Sequence, residues 1–234
     1  EVIGILASDN ELIGNRFLTE IYEWLNCHDA AYPAHYHYTK KDDILNRYFA
    51  LIGGNDPLSF YMGKNDKSSY LGYPKTNELG TIGDNGFFIY KDLIEKTDLD
   101  NYYHIDNALE ASTNTVAVGG YRIWHKTGGN IFSFFRKRYR YGLQHAFNKN
   151  RRWHLVDKTP RDIGRLICFI LVTLTIIEPL ILSFRGYRKI KDVAWFLHWP
   201  VCVMTLMTYS VLMIHLGLRK LSQSLFAPMA AQKA

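Results

Sequence analysis

One long uncharged stretch limits most what this chain can fold into. Residues 193–218 read VAWFLHWPVCVMTLMTYSVLMIHLGL and include no Lys, Arg, Asp or Glu. At about 1.5 Å of rise per residue, a helix over this charge-free run is long enough to cross the roughly 30 Å apolar core of a bilayer. Its ends carry residue types that anchor helices at membrane interfaces, namely Trp195, Trp199, Arg219 and Lys220. The run predicts a membrane-crossing helix, with a buried core helix of a water-soluble protein as the alternative.

A second apolar segment precedes the charge-free run, at residues 166–182, with the sequence LICFILVTLTIIEPLIL. As a helix it spans only about 25 Å, which is marginal for a crossing. Glu178 is costly in hydrocarbon, and Pro179 removes a backbone donor. The next loop, RGYRKIKD, is basic like both outer flanks, and basic short loops favour the cytoplasmic side. We therefore predict that this segment lies in the interface or re-enters without crossing. A hairpin of two crossings and a buried core helix are the alternatives.

Charge divides the chain into two parts. Residues 1–130 hold 11 Lys/Arg against 18 Asp/Glu, a net charge of −7, whereas residues 131–234 hold 17 against 4, a net charge of +13. Ten of the basic residues lie within 131–165. Such a stretch requires an anionic partner. The three cysteines show no paired spacing, so no disulfide framework is predicted.

The basic segment begins at residue 131 with IFSFFRKRYRYG, where phenylalanines precede a cationic cluster with interleaved tyrosines. This composition suits a helix that lies on anionic headgroups at the membrane surface. Basic residues interleaved with aromatics can also bind nucleic acid. Because the segment adjoins an apolar run, the lipid surface is the nearer anion. Anionic membrane lipids, and no nucleic acid, are therefore the predicted partners.

The acidic front of the chain alternates between helical and strand patterns, which indicates an α/β fold. Thr39 is the predicted N-cap of its second helix. The predicted helices lie around 12–25, 42–51, 91–96 and 105–110, and the predicted strands lie at 87–90 and 115–125.

A loop with glycines on both sides of Asp-Asn precedes the first predicted strand, in the sequence TIGDNGFFIY. Its residues are Gly83, Asp84, Asn85 and Gly86. Glycines permit a tight loop that brings backbone amides close to a ligand. A ligand-binding loop and an ordinary turn into a strand both fit these residues.

A single carboxylate, Asp106, falls in the first turn of a predicted helix within YYHIDNALE, two residues after His104. The helix dipole stabilises an ionised carboxylate there, and an ionised carboxylate can accept a proton. The alternative is the acidity common at helix starts, with no catalytic role.

His125 ends the last predicted strand of the front and precedes the cationic cluster by about ten residues. Arginines placed there, such as Arg136 and Arg138, could neutralise a diphosphate leaving group. His125 could ligate a divalent metal that bridges this diphosphate. The alternatives are a surface histidine and a basic stripe that faces only lipid.

The order of these motifs resembles the later half of family 2 glycosyltransferases that are tethered by C-terminal membrane helices. The motifs are TIGDNGFF, then HIDNALE, then WHKTGG with FFRKRYRY, then KDVAWFLHWP. The stretch LNRYFALIGGNDPLSFYMGKND, which contains Asn55 and Asp56, resembles the acceptor-side region of bacterial and archaeal members. The similarity covers most of the chain.

The resemblance implies a GT-A (Rossmann-like) fold and inverting transfer from a nucleotide diphosphate sugar, with Asp106 as the base. It implies that Gly83, Asn85 and Gly86 line the sugar site, with Asp84 in the same loop. A divalent metal, Mg or Mn, is expected in the complete enzyme.

The same resemblance implies that Arg136, Arg138 and Tyr139 bind the donor diphosphate. They lie where processive members carry Gln-x-x-Arg-Trp, and Phe135 replaces the Gln. That departure favours single transfers over a processive synthase.

The family's N-terminal nucleotide-binding half, with its Asp-x-Asp metal motif, has no counterpart in the sequence. We therefore expect a C-terminal fragment that transfers no sugar alone. Its predicted parts are a partial catalytic domain (1–130), a basic interfacial neck (131–162), two membrane-associated helices (163–220) and a tail (221–234).

The predicted function is sugar transfer to a lipid-linked or cell-envelope glycan acceptor, at the cytoplasmic face of the cell membrane. A polyprenyl phosphate acceptor presents its head only at the membrane interface, so tethering raises its effective concentration. The alternative is a non-catalytic membrane-anchored docking or assembly protein, whose acidic part binds a basic partner.

Overall fold

A computed structural model of the chain describes residues 1–6, 8, 10–28, 30–54, 56–62, 85–95, 116–126, 130–147 and 159–231. The described strands form one sheet in the order β1-β4-β3-β5-β2. They are β1 (Val2–Leu6), β2 (Asn10–Ile13), β3 (Ala30–His37), β4 (Asn85–Tyr90) and β5 (Val116–His125). β3 and β5 pair in parallel, and the other pairs are antiparallel. The strands predicted at 87–90 and 115–125 are confirmed as β4 and β5.

The two faces of the sheet are buried by different helices, because successive side chains of a strand point to opposite faces. Phe88 of β4 packs with Ile21 and Leu25 of α1 (Phe17–Leu25), whereas its neighbours Phe87 and Ile89 pack on the other side. That other side also receives α4 (Lys91–Glu95) through Leu93 and Ile94, which confirms the helical turns predicted at 91–96.

The prediction of a helix from residue 12 is wrong at its start. Leu12 lies in β2 and pairs with Ile123 of β5. Gly14, with φ of 110°, then breaks the chain direction before α1 begins at Phe17. An L side chain rarely adopts that backbone angle, so the helix cannot extend back through this position.

Two helices, α2 (Ile44–Ile52) and α3 (Pro57–Met62), follow each other closely in the chain. Gly53 ends α2 in the left-handed conformation, with φ of 71°, as glycine commonly does after a helix. Asp56 then caps α3, since its Oδ1 accepts the Leu58 amide at 2.8 Å, and proline suits the first helical position that follows.

The helix predicted at 42–51 is confirmed as α2, but its predicted N-cap is wrong. Asp43 occupies the N-cap position. The amide and the hydroxyl of Thr39 instead donate to Oδ2 of Asp42, at 2.6 and 3.2 Å.

The C-terminal part of the chain is helical. Its elements are α5 (Ile131–Phe147), α6 (Pro160–Thr175), α7 (Ile177–Lys189), a 3-10 helix (Val193–Leu197) and α8 (His198–Ala231). Within the described residues, one helical stretch, Val193–Ser222, has the length and apolar composition that a membrane crossing requires.

The second apolar segment is interrupted, as the sequence predicts. α6 and α7 are bent by 84° relative to each other, and Ile176 between them has φ of 66°. Pro179 falls in the first turn of α7, where a backbone donor has no partner within the helix, so its missing N–H costs little. Interfacial or re-entrant placement of this pair stays a prediction.

The acidic front and the C-terminal helices share one apolar core. Tyr48 and Phe49 of α2, Phe134 of α5 and Trp195 of the 3-10 helix belong to the same buried cluster. Trp195 is fully buried, so its predicted role as an interfacial anchor is wrong. Gly186 of α7 makes room for it, because a Cβ atom there would lie 2.3 Å from the indole ring.

An ion pair also joins the acidic front to the C-terminal helices. Asp192 lies 3.4 Å from Arg47 of α2, and both side chains are largely buried. The carboxylate of Asp192 also caps the 3-10 helix by accepting the Ala194 amide at 2.9 Å. The motif KDVAWFLHWP therefore has a structural role, because it packs the acidic front of the chain against the C-terminal helices.

Candidate functional site

Asp56 stands at the centre of a buried polar group that joins three helices. Its side chain is only 5% exposed. Oδ2 accepts a hydrogen bond of 2.5 Å from the hydroxyl of Tyr209 on α8, and Oδ1 accepts the Leu58 amide. Arg138 of α5 lies close enough to interact electrostatically with both Asp56 and Tyr209. We call Asp56, Arg138 and Tyr209 the Asp56 cluster.

The charge state of Asp56 reflects opposing effects. Burial raises the pKa of its carboxyl group above the ordinary value, because an ionised carboxylate loses hydration. The positive charge of Arg138 and the bonds from Tyr209 and Leu58 act in the opposite direction. Burial is the larger effect, so the pKa of Asp56 remains raised.

A second polar group adjoins the first and runs from α2 to the start of α7. His198 is fully buried, and its Nδ1 lies 2.9 Å from the hydroxyl of Tyr48. Its Nε2 lies 3.1 Å from the hydroxyl of Tyr61. Tyr61 in turn donates to Oε2 of Glu178 at 2.5 Å. We call Tyr48, His198, Tyr61 and Glu178 the His198 relay.

The relay has a defined direction when the imidazole is neutral. Tyr61 gives its one proton to Glu178, so its oxygen can only accept at His198. Nε2 of His198 then carries the ring proton, and Nδ1 accepts from Tyr48. All three hydrogen bonds therefore point toward Glu178, which is half-buried at the break between α6 and α7.

Gly86 is the one residue of the predicted sugar loop whose environment is fully described. Ile5 pairs with Phe87 and Leu6 pairs with Asn85, so Gly86 is an extra residue that bulges from β4. Its φ of 82° lies in the region that glycine tolerates best. Gly86 therefore forms a β-bulge at the start of β4, and the ligand-binding loop before it stays a prediction.

Three residues of the cationic helix α5 were predicted to bind a diphosphate. Arg136 is exposed. Arg138 belongs to the Asp56 cluster and also lies over the ring of Phe134, 5.1 Å from its centroid. The hydroxyl of Tyr139 lies 2.7 Å from Nδ1 of His215 on α8. Diphosphate binding by these residues stays a prediction.

Asp56 was also predicted to contact the acceptor. Each of its carboxylate oxygens accepts a hydrogen bond within the protein, so Asp56 organises its neighbours. Its contact with an acceptor stays a prediction.

His125 ends β5 and is half-buried. Its Nδ1 lies 3.0 Å from Nδ2 of Asn10, and its ring lies 5.2 Å from that of Tyr36. Among the residues that the structure describes, no three His, Cys, Asp or Glu side chains form a group suited to a metal ion. The metal-ligand role of His125 stays a prediction, and no chemical step is derived from it.

Four of the predicted site residues lie outside the described residues: Asn55, Gly83, Asp84 and Asp106. Asn85 is described only through its backbone, as the first residue of β4.

Comparison with known proteins gives no relative. No family model, curated protein or solved structure matches the chain. The resemblance to family 2 glycosyltransferases therefore depends on the sequence motifs alone.

Several residues of the two polar groups were not singled out as site residues by the sequence: Tyr48, Tyr61, His198 and Tyr209. Glu178 was noted only as a cost in hydrocarbon. One signal was present, since Glu178, His198 and Tyr209 are polar residues within apolar runs. Buried polar groups are almost always paired, so such residues indicate an internal partner.

Proposed function

We propose that this chain belongs to a membrane-attached inverting glycosyltransferase. It transfers a sugar from a nucleotide diphosphate sugar to a lipid-linked or cell-envelope glycan acceptor. The GT-A fold, the divalent metal and the position at the cytoplasmic face of the membrane belong to the same proposal.

The observation that carries the proposal is the electrostatic interaction between Asp56 and Arg138. Asp56 belongs to the motif that resembles an acceptor-side region, and Arg138 to the motif that resembles a diphosphate-binding one. The two residues are far apart in sequence but interact electrostatically in the fold. Such convergence is expected if both motifs serve one site, and a docking protein gives no reason for it.

The proposed reaction is a single displacement. The acceptor hydroxyl attacks the anomeric carbon, the bond from that carbon to the diphosphate oxygen breaks, and Asp106 takes the hydroxyl proton. The exposed cations of α5, including Arg136, are suited to stabilise the negative charge of the departing nucleoside diphosphate. A divalent metal, when bound, supplies further positive charge at the diphosphate.

The deciding experiment uses membranes that contain the complete enzyme. Labelled nucleotide sugars are offered one at a time, and label transferred to the lipid extract or to envelope glycan is counted. Asp106→Asn is expected to abolish transfer while membrane association is kept. Asp100→Asn, which makes the same change six positions away in the chain, is the control and should retain transfer.

Two outcomes would overturn the proposal. One is transfer that persists in Asp106→Asn, since a base cannot be dispensable. The other is the absence of transfer from every nucleotide sugar together with capture of a basic protein partner, which would favour the docking function.

A further inference from the structure

The helix with the composition of a membrane crossing is covered by the rest of the protein along one side. Its buried residues are separated by three, four or seven positions, which places them on one face of a helix. They are His198, Val201, Cys202, Thr205 and Leu212, each at most 5% exposed. This covered stripe extends over about 21 Å of the helix axis.

The cover comes from helices of both parts of the chain. Tyr48 of α2 and Tyr61 of α3 contact His198. Asp56, between these helices, contacts Tyr209. Further along, Gly142 of α5 packs so closely that a Cβ atom on it would lie 2.3 Å from Leu212.

This packing determines which other parts of the chain a bilayer crossing would carry with it. A crossing helix needs about 20 apolar residues, and wherever such a stretch is placed inside the charge-free run it includes residues 199–212. Tyr209 and Leu212 lie in that part. Their contacts Asp56 and Gly142 would then be held at the depth of the hydrocarbon.

The same placement would bring charged side chains of α5 into the bilayer. Arg136, Lys137 and Arg140 are exposed on α5, and charged groups are strongly disfavoured in hydrocarbon. These exposed charges therefore oppose a crossing by α8.

The C-terminal helices nevertheless expose continuous apolar stripes. On α6 and α7 the exposed residues repeat with the same four-and-three spacing: Ile167, Leu171 and Leu174, then Ile177, Ile181 and Phe184. On α8 the exposed stripe includes Met207, Val211, Ile214 and Leu218. The 84° bend at Ile176 prevents α6 and α7 from forming one straight span.

We infer that the chain is monotopic: these stripes enter one leaflet of an anionic membrane, and no helix crosses it. Amphipathic helices bind membranes in this way, with the apolar face at the boundary between headgroups and acyl chains. Charge complementarity indicates that the partner of these stripes is an anionic membrane, since residues 131–234 carry a net charge of +13. Exposed cations such as Arg185, Arg188 and Lys220 flank the stripes and suit anionic headgroups. This inference rests on membrane attachment and not on sugar transfer.

The first test is the topology of the whole chain. The chain is produced in a bacterial host with different epitope tags at its two ends, and sealed inverted membrane vesicles are treated with protease. A monotopic chain leaves both end tags, and a further epitope inserted after Lys189, accessible from the cytoplasmic side, so all are expected to be digested. A hairpin of two crossings would protect the epitope after Lys189. Protection of one tag until detergent opens the vesicles would overturn the inference.

The second test locates the lipid-binding surface with a matched pair of variants. Leu174 on α6 and Leu18 on α1 are exposed to a similar degree, 67% and 65%. Flotation with phosphatidylglycerol-containing vesicles is expected to fall on the order of tenfold for Leu174→Glu and to be unchanged for Leu18→Glu. Circular dichroism checks that both variants are folded.

Three results would contradict the assignment of the surface. One is equal flotation of the two variants, and another is equal binding to vesicles of neutral phosphatidylcholine. The third is no vesicle binding together with a defined oligomer in solution, which would indicate a second copy of the chain on the apolar stripes. None of these readouts depends on transfer, so loss of activity in Asp106→Asn leaves them unaffected.

Discussion

The hydroxyl group of Tyr209 donates a hydrogen bond of 2.5 Å to Oδ2 of Asp56, and this contact ties α8 to the turn between α2 and α3. Tyr209→Phe removes the donor and leaves a buried carboxylate with one partner fewer. We expect the free energy of unfolding to fall by about 1–3 kcal/mol, measured by chemical denaturation in mild detergent. Tyr22→Phe, at an exposed position on α1, is the control and should change stability little. Equal effects of the two variants would mean that the Tyr209 contact contributes nothing.

The pH dependence of stability should report on Asp56. Burial raises the pKa of its carboxyl group above the ordinary value of 3.8, so the folded state holds the proton more tightly than the unfolded state. That stabilisation is complete below the unfolded pKa and is lost as pH rises through the folded pKa.

The variant Asp56→Asn cannot ionise, so its stability should lack this fall. We expect the stability of the unsubstituted protein to decrease relative to Asp56→Asn as pH rises from about 3 to about 7. Asp92→Asn, on the exposed side of α4, makes the same change in net charge and should retain the fall. Parallel curves for the unsubstituted protein and Asp56→Asn would contradict the raised pKa.

Two glycines in neighbouring helices should respond oppositely to alanine. A Cβ atom at Gly186 would lie 2.3 Å from the buried ring of Trp195, so Gly186→Ala should destabilise the protein by about 1–3 kcal/mol. Gly164 on α6 has no atom within 4 Å of such a Cβ, and Gly164→Ala should stabilise it by up to about 1 kcal/mol through helix propensity. Thermal unfolding of both variants tests the pair, and destabilisation by both would show that the Trp195 contact is not the cause.

The two tyrosines of the His198 relay should differ in their contribution to stability. Tyr61→Phe removes the donor to Glu178 and the acceptor of the His198 Nε2 proton, whereas Tyr48→Phe leaves only Nδ1 without a partner. We expect a loss of about 2–3 kcal/mol for Tyr61→Phe and about 1 kcal/mol for Tyr48→Phe. The free energy of unfolding of each variant measures this, and the reverse order would contradict the two hydrogen bonds assigned to Tyr61.

Local elements could be predicted where local chemistry decides them. The bounds of α2 follow from its apolar period and from the glycines after it, and β4 and β5 follow from short apolar runs beside turn residues. The prediction failed at Leu12 because its strand partner, Ile123, is distant in sequence. It failed at Trp195 because burial there depends on Gly186 and α2, which no local pattern connects to the indole ring.

In the candidate site, too, single residues could be predicted but contacts between distant residues could not. The sequence singled out Asp56 and Arg138 individually, through motifs, but did not predict that they interact. It missed His198 and Tyr209 because an apolar run is judged by its average hydropathy. The polar atoms of a few side chains scarcely change that average, although their hydrogen bonds decide how the helix packs.

The sequence by itself determined the composition of the parts: an acidic front of mixed elements, a cationic helix, an interrupted apolar segment and a long charge-free run. Only the tertiary structure decided which face of α8 is covered, and by which helices. Hydropathy is a sum over neighbouring residues of the chain, so it shows only that a helix is apolar enough to be buried away from water. Whether that helix meets lipid or protein depends on contacts between distant residues, such as Tyr209 with Asp56 and Gly142 with Leu212.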